Sequence, residues 1–289
     1  MCLGIGILRF SYTALLPTTR EAFGWSADFA SILSSANLFG YLLGAFWAMR
    51  LPQNKNMPRY IQAAALAGTL SLLSCAVANL HETWYVWWRI ISGISGGLMM
   101  ILSPSIVAQC CELKDRFTIN FIGFSGIGLG VLVATLFLPY LNQISTQTTW
   151  MILFGFTLSI SLVLTMLLQS FKQQLLQQTV PVLQQTPLTG LYFSLLIAYA
   201  CSAFSYVPHS LFWIDYLTNT LHLNLFWINL NWILYGLGSA LGAFSAYLLA
   251  RKFGNLAALK ILYSLYVLAI LIVTVSNSAW LTFTSSFLT

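Results

Sequence analysis

Two arginines lie inside long apolar segments of this 289-residue sequence, where their charge is costly. Arg9 falls in the first such segment, and Arg89 falls in the fourth, directly after an aromatic run at 84–88. An ionised side chain at the centre of a membrane helix costs about 2.5–3.5 kcal/mol on insertion scales, so it usually faces a bundle interior or a wet cavity. Arg9 is therefore a candidate to bind an anionic or hydroxylated solute, with snorkelling to the interface as the alternative. For Arg89 the alternative is an interior cation bonded to backbone carbonyls.

Polar side chains within four of the apolar segments form a second group of candidates. Together with Arg9 we interpret them as substrate-binding: Tyr12, Asn37, Tyr41, Tyr206, His209 and Asn231. Asn37 and Tyr41 are four residues apart and would share one helix face. Hydrogen bonding between helices is the common alternative role for such groups in hydrocarbon.

Acidic residues are absent from the middle of every apolar segment. They fall in or beside the predicted loops: Glu21, Asp28, Glu82, Glu112, Asp115 and Asp215. No embedded carboxylate therefore completes an obvious proton relay. Asp215, near the end of the seventh segment, is the best acidic candidate for proton coupling or gating, and His209 is a second route.

Other kinds of chemistry find little support in the sequence. The apolar segments hold no paired aspartates, no histidine cluster and no Ser-His arrangement, so we expect neither an enzyme with catalytic residues nor a metal site. Gly4 and Gly6 follow no strand and precede no acidic ribose partner, so no nucleotide cofactor is expected. The basic residues are scattered singly, which argues against a nucleic-acid partner.

The composition indicates that these residues are carried by membrane-spanning helices. Hydrophobic residues make up 58% of the chain and charged residues only 6%, against about 25% charged residues in soluble domains. Runs as long as 150–168 do not alternate between polar and apolar residues, which favours helices over a barrel. We predict an all-α polytopic membrane protein with a tenth span beginning near Trp280 and nine earlier spans at 1–17, 27–49, 60–80, 83–109, 118–141, 148–168, 188–213, 226–250 and 256–275.

The loops between these spans carry an uneven charge. Alternate loops on one side hold only Arg20, whereas the other side holds Arg50, Lys55, Arg59, Lys114, Arg116, Lys172, Arg251, Lys252 and Lys260. Basic residues accumulate on the cytoplasmic side of a membrane, so we expect a multi-pass protein with a cytoplasmic N-terminus.

Two short words recur between the first and second parts of the chain. The word at 43–48, LGAFWA, returns as LGAFSA at 241–246, and Phe-Ser-Tyr at 10–12 returns at 204–206. Both pairs relate a span to the sixth span after it, as in transporters built from parallel six-helix repeats around a midplane substrate site. We predict a six-helix bundle at 1–168, a cytoplasmic linker at 169–187 and a partial second bundle at 188–289. Two full repeats would need about 396 residues, so we expect a chain lacking its last three spans.

The motifs at 4–17 (GIGILRFSYTALLP) and 34–44 (SSANLFGYLLG) resemble those of the major facilitator superfamily, specifically its bacterial YbfB/YjiJ-like group. Further similarity lies in Arg89 with Gly93 and Gly96-Gly97, and in the glycines at 123–130. Ala14 and the loop at 50–59, which lacks an acidic residue and glycines, depart from the pattern. The resemblance implies a bundle of two six-helix repeats, here with about nine to ten spans and the second repeat incomplete.

The same resemblance implies a function. We expect a monomeric secondary active transporter of the bacterial inner membrane that moves a small organic solute by alternating access, with proton coupling left open. In some antiporters of the superfamily a span-four arginine is linked to proton coupling, which implies a coupling or gating role for Arg89. The alternative is a truncated or pseudo-transporter that acts only as a membrane interaction protein.

Overall fold

The fold is built from helices alone in the part of the chain that can be described. The structure is a computed structural model and describes residues 1–52, 56–141, 144–177, 190–207, 213–275 and 278–289. These residues form eleven α-helices and two short π-helical segments, with no β-strand among them. The predicted all-α fold is confirmed.

Six of the described helices are long and apolar enough to cross a membrane. They cover Ala27–Arg50, Glu82–Cys110, Lys114–Ala134, Thr146–Gln169, Leu225–Phe253 and Asn255–Val275, and Tyr192–Tyr206 is a shorter apolar helix. The polytopic character is therefore confirmed, whereas the total of nine to ten spans stays a prediction.

The first group of helices begins with a continuous helical stretch from Cys2 to Phe23. Its first part, Cys2–Ile7, is π-helical, and it runs directly into α1 (Leu8–Phe23). The other members are α2 (Ala27–Arg50), α3 (Met57–Ser74), α4 (Glu82–Cys110), α5 (Leu113–Leu141) and α6 (Thr146–Gln177). Helix α6 includes the first nine residues of the predicted linker, 169–177, because its Gln, Lys and Leu residues are good helix formers.

The second group contains α7 (Gly190–Val207), the short α8 (Trp213–Asp215) with a π-helical segment at Tyr216–Thr220, α9 (Leu225–Phe253), α10 (Asn255–Val275) and α11 (Ala279–Leu288). The seventh apolar segment is thus not one described helix, since α7 ends at Val207 and α8 begins at Trp213. Helix α11 lies where a tenth span was expected to begin.

Local signals fix the sharp turn between α1 and α2. Gly24 has φ 66°, a left-handed conformation that glycine adopts without strain, and it ends α1. Two residues later, the Ser26 hydroxyl accepts a 3.1 Å hydrogen bond from the Phe29 backbone N–H and caps α2. We call this side of the molecule the α1–α2 end, and the opposite side the α4–α5 end.

Helices α2 and α4 approach each other through small residues. A Cβ atom added at Gly93 of α4 would lie 2.7 Å from the backbone nitrogen of Tyr41 and closer still to the carbonyl oxygen of Asn37. Gly40 and Gly44 of α2 meet the α4 backbone at Ile90 and Ile94 in the same way. In lipid, such close backbone approach supplies the packing energy that hydrophobic burial supplies in water.

The same contact recurs in the second group of helices. Gly40 lies against the backbone of Ile90, and Gly238, which is 198 positions further along, lies against the backbone of Phe287. The offset equals that of the duplicated words at 43–48 and 241–246. Helices α2 and α4 of the first group therefore correspond to α9 and α11 of the second.

The α2–α4 contact predicts a loss of stability for Gly93→Ala. The added methyl group must push the two backbones apart, and overpacking of this kind typically costs about 1–3 kcal/mol. The melting temperature of the detergent-purified protein should fall. Gly155→Ala on α6 is the control, because its new Cβ meets nothing within 4 Å, and its melting temperature should stay equal or rise slightly. Equal melting temperatures for both variants would contradict the packing described.

Candidate functional site

Arg9 lies at the contact between the two groups of helices. Its guanidinium carbon is 5.6 Å from the ring centroid of Phe10 and 5.7 Å from that of Tyr206 on α7. Tyr41 of α2 and Tyr235 of α9 belong to the same packed cluster of side chains as Phe10 and Tyr206. A cation near aromatic faces is attracted by their negative quadrupole, an attraction that strengthens when water is excluded. Arg9 is thus held by rings from both groups.

Aromatic rings surround this cation. Trp232 and Tyr235 stack with ring centroids 5.0 Å apart and planes 6° from parallel. Phe10 lies 6.2 Å from Trp232 and 5.8 Å from Tyr235, and the hydroxyls of Tyr206 and Tyr235 are hydrogen-bonded to each other. We call these six residues the Arg9 cluster: Arg9, Phe10, Tyr41, Tyr206, Trp232 and Tyr235.

A cavity of about 650 Å³ enters the molecule from the α1–α2 end. Its lining includes Thr13, Pro17 and Arg20 of α1, Ser34 of α2, Ile214 of α8 and Thr218 of the following π-helical segment. The cavity therefore separates the two groups of helices at this end. Thr13 is one helical turn after Arg9 on the same face of α1, which places the cavity floor about 6 Å along the axis from the Arg9 cluster.

Toward the α4–α5 end the two groups are in tight contact along α5 and α9. Phe117 and Phe121 of α5 stack on Tyr247 of α9 with centroid distances of 5.5 and 5.7 Å. Further along the same pair of helices, a Cβ atom at Gly128 would lie 2.7 Å from the Cβ of Ala240 and closer to its backbone. The two groups of helices are thus separated by a cavity at the α1–α2 end and packed together along α5 and α9 toward the α4–α5 end.

Arg89 lies in the interior of the first group. Its side chain is 3% exposed, its guanidinium carbon is 3.8 Å from the Tyr12 ring centroid, and its Nε has no hydrogen-bond partner. Asn37 donates from Nδ2 to the Arg89 carbonyl oxygen at 3.2 Å, and the Tyr12 ring packs on Trp150 of α6. The buried guanidinium is therefore stabilised by an aromatic face.

Asn231 belongs to another network, inside the second group. It is fully buried, donates to the Trp227 carbonyl oxygen at 3.0 Å and accepts from the Ser286 hydroxyl at 2.8 Å. The indole N–H of Trp213 donates in turn to Ser286 at 2.9 Å. This network joins α8 and α9 to α11.

The structure thus divides the predicted site residues into separate places. Arg9, Tyr41 and Tyr206 come together, whereas Tyr12 and Asn37 accompany Arg89 and Asn231 lies apart. His209 lies outside the described residues, and Asp215 is the last residue of α8. Within the described ranges, no group of three or more His, Cys, Asp or Glu residues is placed to hold a metal ion.

Sequence reasoning missed Trp232 and Tyr235, which complete the Arg9 cluster. Tyr235 follows Asn231 by four residues, so the two share a face of α9. That periodicity could have drawn attention to Tyr235, but many aromatic residues of this chain face lipid. Only the packing of α9 against α1 and α7 distinguishes the aromatic residues that face the interior from those that face lipid.

The fold and the placement of the cavity define a polytopic helical membrane protein of the major facilitator type. A bacterial homologue of the human lysosomal transporter Spinster, in an inward-facing and occupied conformation, matches with a TM-score of 0.63 and 17% identity over 99% of this chain and 69% of that one. The xylose transporter XylE from E. coli, in an inward-open conformation, matches with a TM-score of 0.57 and 16% identity over 99% of this chain and 78% of that one. A D-xylose–proton symporter matches with a TM-score of 0.56 and 14% identity over 99% of this chain and 76% of that one.

The sequence assigns the chain to a narrower family than the structural matches do. A family model described as "Uncharacterised MFS-type transporter YbfB" matches residues 1–289. The chain belongs to this family of MFS-type transporters, and the resemblance noted at the motifs of α1 and α2 is confirmed.

The Arg89–Tyr12 contact predicts opposite outcomes for two substitutions at one position. Tyr12→Phe keeps the ring and removes a buried hydroxyl that has no hydrogen-bond partner, so the melting temperature in detergent should stay equal or rise. Tyr12→Leu removes the ring from the Arg89 guanidinium and should cost about 2 kcal/mol or more. Tyr192→Leu, at a ring that is 51% exposed, is the control and should change little. A large loss in Tyr12→Phe would contradict this account.

Proposed function

We propose that the protein is a secondary transporter that moves a small organic solute across the membrane by alternating access. The observation that supports this most is the position of the Arg9 cluster, where residues of both helix groups meet below a cavity that opens at one end. A midplane site between two bundles is the arrangement that alternating access requires. Family membership and fold support the same class of function.

The orientation follows from the charges of the loops. We propose that the protein lies in the bacterial inner membrane with its N-terminus in the cytoplasm, so that the cavity faces outward. Arg251 and Lys252, in the last turn of α9, would then be cytoplasmic, in accord with the preference of basic residues for that side. We further propose two functional bundles, at 1–168 and 188–289, joined by a cytoplasmic linker at 169–187.

In this proposal the α5–α9 contact is the closed side of the transport cycle. Passage of a solute toward the cytoplasm requires Phe117 and Phe121 to separate from Tyr247 while the cavity at the other end closes. Each aromatic pair is worth about 0.5–1.5 kcal/mol beyond its buried area. Two or three such pairs can therefore be exchanged for new contacts at the other end without a large change in free energy.

We also propose a supporting role for the interior polar groups. For Arg89 we propose a coupling or gating role in which it keeps the first bundle rigid: its side chain ties α4 to α1 through Tyr12, and its backbone ties α4 to α2 through Asn37. Proton coupling through Asp215 or His209 stays a prediction, as does direct contact of Tyr12, Asn37 or Asn231 with the solute.

The transport proposal predicts that solute movement depends on Arg9. Proteoliposomes containing the full chain and loaded with a bacterial small-molecule extract should lose specific solutes faster than empty liposomes, as measured by mass spectrometry. Arg9→Ala should reduce that loss about tenfold or more, because hydrogen bonds to a charged group contribute about 1.5–3 kcal/mol. Arg251→Ala changes an exposed cation in the last turn of α9 and should behave like the parent. No specific loss from liposomes of the parent protein would contradict transport.

The closed α5–α9 contact predicts a conformational effect of Gly128→Leu. The new side chain cannot fit against the Ala240 backbone, so the protein should favour a state in which this contact is open and the outer cavity is closed. Labelling of a cysteine introduced at Thr218, an exposed lining position, by an impermeant maleimide should slow severalfold in a background without the native cysteines. At Gly123 on the same helix an added Cβ atom meets nothing within 4 Å, so Gly123→Leu should leave labelling unchanged. Equal labelling rates in the two variants would contradict this account.

A further inference from the structure

We propose that the Arg9 cluster selects small organic monocarboxylates, that is, solutes with one carboxylate group and an apolar body. This inference rests on the proposed transport function and names the solute class of the same site. It is carried by the charge of the interior, the hydrogen-bond donors of the cluster and the rings around them.

The charged side chains that the structure describes within the helices are distributed by sign. The carboxylates of Glu21, Asp28, Glu82 and Asp115 all lie in the first or last turn of their helices. Arg9 and Arg89 lie farther inside, Arg89 at 3% exposure and Arg9 beside the Tyr206 ring at the contact between the groups. Like charges repel, and the repulsion is weakly screened in a medium of low dielectric constant. The interior formed by the described side chains is therefore favourable for an anion and unfavourable for an ammonium group.

The cluster is also rich in hydrogen-bond donors. A guanidinium has five N–H donors and can bind a carboxylate through two parallel hydrogen bonds. In the hydrogen bond between the hydroxyls of Tyr206 and Tyr235, one hydroxyl donates and the other keeps its own hydrogen for a further acceptor. A carboxylate, which only accepts, fits this donor set better than a neutral amide or an amine.

The rings around the cation fit an apolar solute body. Phe10 is 1% exposed and Trp232 is 2% exposed, so both rings are covered by other protein atoms in this state. A solute that reaches the guanidinium would lie against these rings in place of those atoms. A second carboxylate on the solute would lie against these rings, and among the six residues of the cluster only Arg9 carries a positive charge. The second carboxylate would therefore be unpaired, and an unpaired charge away from water is costly. One carboxylate on an apolar body is therefore the best match.

The approach to the cluster favours the same class. Arg20 lines the outer cavity about three helical turns from Arg9 on α1, and a cation at the mouth of a cleft raises the local concentration of anions. Glu21 also lines this cavity, so the mouth is not uniformly positive. The positive charge of the site itself then comes from Arg9, which lies deeper than Arg20 and Glu21.

Binding to the purified full-length protein in detergent tests this proposal. The melting temperature is measured with sodium benzoate and sodium butyrate and with the matched amides, benzamide and butyramide, against sodium chloride of equal concentration. We expect the carboxylates to raise the melting temperature in a saturable way and the amides to leave it unchanged. Arg9→Gln should weaken carboxylate binding about tenfold to hundredfold. Arg251→Gln, the matched control, should bind like the parent.

Each other outcome overturns the proposal. Equal shifts with carboxylates and amides would show that charge is not selected, and a larger shift with succinate would exclude a preference for one carboxylate. Stabilisation by benzylamine, or no shift with any carboxylate, would also exclude this solute class. The liposome experiment with the small-molecule extract separates the two levels: specific loss of solutes that are not carboxylates leaves transport standing and overturns only the solute class.

Discussion

Positive charge inside an apolar bundle is the constraint around which this structure is arranged. Arg89 and Arg9 must each be placed where the cost of leaving water is offset, and in both cases aromatic faces contribute to the offset. Tyr12 lies 3.8 Å from the Arg89 guanidinium, and Tyr206 lies 5.7 Å from that of Arg9. The two sites differ in what they join: Arg89 stabilises contacts within the first group of helices, whereas Arg9 lies between the groups.

Close backbone packing is what makes these placements possible. Gly93 lets α4 approach α2 near Asn37, and this approach allows the Asn37 amide to reach the Arg89 carbonyl oxygen at 3.2 Å. Gly128 allows α5 to approach α9 near Ala240, on the helix that also carries Trp232 and Tyr235. A glycine in a helix interior costs up to about 1 kcal/mol relative to alanine, and here that cost permits the contacts on which the interior cations depend.

The sequence predicted most of the helices and part of the site, for physical reasons that can be separated. Apolar runs marked α2, α4 and α9 because hydrocarbon thickness sets the length of such a run. The same composition hid which face of α9 points inward, since lipid and protein interior both favour Trp232 and Tyr235. Arg9 was recognisable because charge is rare in hydrocarbon. Contact of Tyr12 with the solute stays a prediction, because whether an amphipathic side chain faces a cavity or a neighbouring helix depends on tertiary packing, which the sequence does not give.

The duplicated Phe-Ser-Tyr motif shows how two related helices can acquire different roles. In the first copy Phe10 is 1% exposed at the contact between the groups, whereas in the second copy Phe204 is 81% exposed. The tyrosines of both copies nevertheless pack on guanidinium groups, Tyr12 on Arg89 and Tyr206 on Arg9. Both arginines belong to the first group of helices, so the second copy contributes its tyrosine across the contact. Loss of the Tyr206 ring would therefore weaken the contact between the two groups of helices, whereas loss of the Tyr12 ring would lower the stability of the first group alone.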